Sequence, residues 1–161
     1  MRTDAEIQAL VADAIAANLE GADALIDAPL WALRRAYNGC GPEWMPECVR
    51  DSLTRYLAAF EPAFLVHDWD TSASDGEPGG FYASNRRLWR NCRALANRRW
   101  PWYNWRRYAA RLAADTIYDT VNTFGWHAWY SASEGKREEV RGKREEVTHP
   151  LTHSPTHKLT N

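Results

Sequence analysis

Three cysteines in 161 residues, at positions 40, 48 and 92, are too few and odd in number for a disulfide framework. No cationic segment followed by an apolar run opens the chain, so the sequence predicts a cytoplasmic protein in a reducing compartment. No apolar stretch reaches the roughly 18 residues of a membrane span, so no transmembrane segment is expected. Lysine is missing before Lys136, and every cationic side chain up to that point is arginine. Acidic residues are missing between 82 and 111, where nine arginines fall, while residues 1–81 carry 14 Asp/Glu against 5 Arg, a net of −9. Such halves either attract each other or leave the basic one to meet phosphate or an anionic membrane surface. No run alternates β-branched with polar residues, which excludes strands as the main element.

Apolar residues at helical spacing are abundant. Ile7, Leu10, Val11, Ala14, Ile15 and Leu19 predict a helix from Asp4 to Leu19, with Gly21 at its C-terminal cap. A second is predicted over 28–37, with Asp27 as N-cap and Pro29 in its first turn. Asn38-Gly39-Cys40-Gly41-Pro42 cannot continue it and makes a tight turn whose carbonyls can point one way. Pro46 to Phe60 reads as a third helix with Val49, Leu53, Tyr56, Leu57 and Phe60 inward. The fold class is therefore all-α: a small helical domain over 1–130 with an antiparallel helix pair and extra N- and C-terminal helices. Residues 131–161 hold a twice-repeated Gly-Lys-Arg-Glu-Glu-Val unit and a Thr/His/Pro segment, and composition predicts a low-complexity tail that is disordered or a fraying helix. His149, His153 and His157 have helical metal-ligand spacing, but Pro150 and Pro155 break the helix it requires.

Chemistry concentrates on Phe60-Glu61-Pro62-Ala63-Phe64-Leu65-Val66-His67-Asp68-Trp69. Pro62 suits a first turn and Glu61 the positive end of the helix dipole. Phe60, Phe64 and His67 share a stripe, and Asp68 lies about 100° further round. The pair reads either as a satisfied core histidine beside a surface aspartate or as a base and a carboxylate on adjoining walls of one pocket. After a loop over 71–80, Asn85, Leu88, Cys92 and Leu95 form a stripe opened by an amide. That amide is either a solvated first-turn residue or the partner of His67. Trp100-Pro101-Trp102-Tyr103-Asn104-Trp105 breaks this helix and starts the last one, with Trp105, Tyr108 and Leu112 on one side, Ile117, Val121 and Phe124 following on, and Gly125 able to end it. The tryptophan-rich, arginine-rich run reads either as packing paired with the acidic half or as a lipid or partner interface of Trp100, Trp102, Trp105, Arg106 and Arg107.

The order of glycine turn, His-Asp helix and second helix bearing a polar residue resembles the phospholipase A2 superfamily, in its disulfide-poor viral and bacterial form. The resemblance covers about residues 38–97 and implies a calcium-dependent phospholipid esterase. By that resemblance His67 is the general base for water and Asn85 stands at the position that orients it. Asp68 is the calcium carboxylate, and Gly39, Gly41 and Glu43 offer loop backbone oxygens. This sequence departs from the pattern at four places. Asn85 replaces a carboxylate, Thr71 an aromatic hydroxyl, Ala63 and Phe64 paired cysteines, and Glu43 a glycine; 26 residues separate Cys40 from His67, more than a compact loop requires. Asn85 and Thr71 favour the alternative, a non-catalytic scaffold acting as a structural or interaction protein of a virus or mobile element. A nucleic-acid-binding module using Arg86 to Arg111 ranks last, since the run carries no groove-reading motif and the acidic half opposes a polyanion.

Overall fold

The computed structural model describes residues 2–37, 48 and 56–134. The chain is all-helical, with no strand among the described residues. Helix α1, Asp4–Ala16, begins at a capping box that satisfies two otherwise orphaned donors. The Thr3 hydroxyl accepts from the Glu6 backbone N–H at 3.3 Å, and the Glu6 carboxylate accepts from the Thr3 N–H at 2.7 Å. The helix ends one turn earlier than its apolar spacing predicts, because Asn18 takes a left-handed φ of 52°. Leu19 still reaches the core, now from the turn, and Gly21 with φ 84° leads into a 3₁₀ helix over Ala22–Leu25. Helix α2, Leu30–Ala36, is capped by the extended Pro29 rather than by Asp27, and it buries Leu33.

Helix α3, Glu61–Ser72, follows a 3₁₀ turn over Ala58–Phe60. Most of the expected helix before it lies outside the described residues. Leu57 and Phe60 are buried as expected, but Tyr56 is exposed rather than inward. The first half of α3, from Glu61 to Val66, is buried on all sides, as suits a helix at the centre of a small bundle. Its N-terminus is tied to the start of the chain by Arg2, whose guanidinium donates twice to Glu61 at 2.8 and 2.7 Å.

Helix α4, Pro78–Arg99, starts well before Asn85 and absorbs Gly79 and Gly80, so the loop shrinks to 73–77. Helix α5, Trp105–Phe124, is capped by the Asn104 side chain, and a final helical segment, α6, covers 126–134. Residues 131–134, which composition groups with the tail, are thus helical, and Ser133 is buried. Pairing of Asn97 with Arg107, Asp115 with both Trp89 and Arg93, and Asn85 with Asn122 fixes α4 and α5 as an antiparallel hairpin. Helix α4 also packs on α3, and α1 packs on α3 and α2, so α3 and α4 form the middle of the bundle.

The face that α5 turns inward differs from the aromatic one. Ala110 and Ala114 are buried, with Ala113, Ile117 and Val121 packed at the core edge. Small residues there let α5 approach the Cys92 and Ala96 surface of α4 closely. Trp105, Tyr108 and Leu112, one stripe over, are left in solvent. No helix among the described residues is long and apolar enough to cross a membrane.

Candidate functional site

Asn85 does not open α4 but sits two turns inside it, facing α3, and is only 1 % exposed. Of the two roles open to it, the structure selects the partner of His67. Asn85 Oδ1 lies 3.0 Å from His67 Nε2, a hydrogen bond between the two central helices. Asn85 Nδ2 donates to Asn122 Oδ1 of α5 at 2.8 Å. With its amide N–H engaged there, the Asn85 oxygen faces the imidazole and accepts from Nε2–H. In that arrangement a neutral ring carries its proton on Nε2 and its lone pair on Nδ1.

That nitrogen faces the neighbouring carboxylate: His67 Nδ1 and Asp68 Oδ1 are 3.7 Å apart, too far for a good hydrogen bond with a neutral ring but close for an ion pair. The two side chains are only 16 % and 21 % exposed, so the pair is largely enclosed. Burial lowers the imidazole pKa, while the Asp68 carboxylate, the Asn85 oxygen and the more distant Asp70 charge raise it, and the balance leaves His67 above the ordinary value. Asp70 itself is engaged elsewhere. Its Oδ2 accepts from Arg87 at 2.7 Å and from the Ser84 hydroxyl at 3.2 Å, which staples α3 to α4 one turn beyond His67. Thr71, four residues after His67, donates its hydroxyl to the His67 backbone carbonyl at 3.0 Å and so does not reach the ring as an aromatic hydroxyl would.

Gly39, Gly41 and Glu43 lie outside the described residues, as do His149, His153 and His157. Among the described residues no group of three or more His, Cys, Asp or Glu side chains could hold a metal. Asp68 is a hard oxygen donor of the type calcium takes, but about five or more further oxygens are needed to complete its shell.

The aromatic and basic run divides. Trp100 is partly buried against the core, with the Arg99 guanidinium 5.5 Å from its ring centroid. Trp126 and Trp129 pack around Phe81, and Trp89 donates to Asp115 at 2.7 Å. Trp102, Trp105 and Tyr108 are 82, 73 and 81 % exposed, and Tyr103 and Leu112 join them. Packing does not account for this group. Arg106 is exposed beside it, whereas Arg107 donates to Asn97 at 2.8 Å. Arg87 and Arg90 are paired with Asp70 and Glu20 of the acidic half, and Arg93 with Asp115 of α5, so ion pairing accounts for the middle of α4.

Asn122 is the member of the site that periodicity misses. Its signal lies in the register between α4 and α5 rather than in the pattern of either, since their antiparallel packing brings Asn122 to Asn85. No family model, curated protein or solved structure matches this chain.

Proposed function

We propose that the His67 site is that of an ester hydrolase of phospholipase A2 type, with His67 as the base that activates water. The observation that carries the reading is the hydrogen bond from His67 Nε2 to Asn85 Oδ1. With the ring proton on Nε2 it fixes the ring and leaves Nδ1 as the lone-pair atom, next to the Asp68 carboxylate.

In this reading a water at Nδ1 gives up its proton to the ring as its oxygen adds to the ester carbonyl. The imidazolium that forms is stabilised by the Asp68 carboxylate on the Nδ1 side, since the Asn85 amide is neutral and only orients the ring. The same proton then passes to the leaving alkoxide. Calcium, when held by Asp68 and loop oxygens from Gly39, Gly41 and Glu43, would polarise the carbonyl and offset the oxyanion charge. Phospholipid is the substrate class, and the exposed Trp102, Tyr103, Trp105, Tyr108 and Leu112 with Arg106 form the face that meets an anionic lipid surface. The test is fatty acid release from mixed phospholipid micelles with calcium, with chelator and with His67→Ala in a folded chain. Release that survives His67→Ala removes His67 from the mechanism.

One observation favours a second reading, a non-catalytic scaffold of the same shape. The raised imidazole pKa keeps more of the ring protonated near neutrality, and a protonated ring beside Asp68 is a structural ion pair rather than a base. Calcium titration separates the two: saturable thermal stabilisation at millimolar calcium supports the hydrolase, and its lack supports the scaffold.

A further inference from the structure

The carboxamide contact between Asn85 and Asn122 has two arrangements of nearly the same shape. In one, Asn85 Nδ2 donates to Asn122 Oδ1 and Asn85 Oδ1 accepts from His67 Nε2–H. In the other, both amides are turned over: Asn122 donates to Asn85 Oδ1, and Asn85 Nδ2 donates to an unprotonated Nε2. The ring proton then sits on Nδ1, facing Asp68, and that nitrogen has no lone pair. The Asp68 carboxylate, 3.7 Å from Nδ1, attracts a proton to that nitrogen and so favours the second arrangement for a neutral ring. Something must oppose it if the first is to hold. The group placed to do so is the oxygen of Asn122, the acceptor for the Asn85 amide N–H at 2.8 Å.

We propose that Asn122 is a positioning residue: by accepting from Asn85 Nδ2 it sets the direction of the Asn85 amide and thereby chooses which nitrogen of His67 carries the proton. Its part in hydrolysis rests on the ester-hydrolase reading, but its control of the tautomer does not. The chain of contacts crosses three helices, α5 to α4 to α3, and each link is a hydrogen bond of 3.0 Å or less. Asn122 is only partly buried, so it can exchange with water, but Asn85 is enclosed and must pair with what the two flanking helices present.

The experiment is long-range proton–nitrogen correlation NMR on the full chain labelled at histidine nitrogen, recorded above the His67 titration. His67→Gln identifies the signals. The parent chain should show Nε2–H as the dominant neutral form. Asn122→Asp supplies an acceptor with no competing donor at the same size, and it should keep Nε2–H dominant. Asn122→Leu has the volume but no acceptor, and the ratio of Nε2–H to Nδ1–H should fall about five- to tenfold, the worth of one hydrogen bond. An unchanged ratio in a folded Asn122→Leu chain overturns the proposal. So does a dominant Nδ1–H form in the parent or in Asn122→Asp, and that arm holds even if the leucine variant does not fold. Because the readout is the ring nitrogen, a chain without hydrolytic activity still gives a decisive result, and loss of the hydrolase reading stays distinguishable from loss of this one.

Discussion

Asn91 holds the peptide of Glu20 from both sides: its Oδ1 accepts from the Glu20 N–H at 2.9 Å, and its Nδ2 donates to the Glu20 carbonyl at 3.1 Å. A side chain only 2 % exposed thus supplies both partners that the turn after α1 would otherwise seek in water. The same turn is gripped outside by Arg90, which pairs with the Glu20 carboxylate through two bonds of 2.6 Å. Asn91→Ala leaves a backbone donor and acceptor without partners, and it should cost about 2–3 kcal/mol in urea unfolding. Arg90→Ala acts on an exposed pair and should cost under about 1 kcal/mol. Equal losses for the two would show that the buried contact is not the one that matters.

Stability should fall as pH rises past neutrality, and His67 should be the cause. Its folded pKa is raised above the unfolded one, so between the two values the native state binds more protons than the unfolded state. The contribution is complete below the ordinary imidazole pKa and is lost as pH climbs through the raised one. Denaturant midpoints of the parent chain should therefore drop between about pH 6.5 and the alkaline side of the His67 titration. His67→Gln should flatten that slope, and a slope kept in the variant assigns the effect to another group.

Asn85→Asp places a carboxylate behind the imidazole, where the present amide can orient the ring but not stabilise its positive charge. Where micelle hydrolysis is measurable, the rate should rise on the order of tenfold or more, by analogy with the loss seen when a triad carboxylate is made an amide. The titration of His67, followed by NMR, should move to still higher pH. Asn85→Ala should lower the rate and destabilise the fold by about 1–3 kcal/mol, since the Nε2–H loses its buried acceptor. A rate unchanged in both variants would separate Asn85 from the reaction.

Trp102→Ala with Trp105→Ala should weaken binding to vesicles containing anionic lipid by about tenfold or more, at about 1–3 kcal/mol for interfacial aromatic contacts of this size. Both side chains are mostly in solvent, so the melting temperature should stay within a few degrees of the parent. Co-sedimentation with neutral vesicles and with a single-stranded oligonucleotide supplies the contrast. Tighter binding to the oligonucleotide than to anionic vesicles would assign the face to nucleic acid.

The outer helices could be read from spacing because a helix at the edge of a bundle buries one stripe, and the His67 to Asn85 pair because an amide on an apolar stripe demands a partner. Which stripe of α5 turns inward could not. Trp105, Tyr108 and Leu112 are as regular as Ala110, Ala114, Ile117 and Val121, and only the close approach to Cys92 and Ala96 on α4 decides between them. Asn122 was hidden for a related reason, since its role follows from the register between two helices rather than from the pattern within either. Helix ends moved where one residue outweighed periodicity, as Asn18 did in stopping α1 and Pro29 in delaying α2.

The α4–α5 hairpin carries its aromatic face near the tip and the His67 contact near the open end, and both are fixed to the same pair of rods. From Asn85 to Arg99 the rise of an α-helix gives about 20 Å. The hairpin is thus a ruler: the imidazole stands at a set height from the aromatic tip. Matched insertions of one turn in both rods, between the two features, would lengthen that ruler by about 5 Å while leaving each end chemically intact. The spacing of the two features is in this way adjustable without altering either.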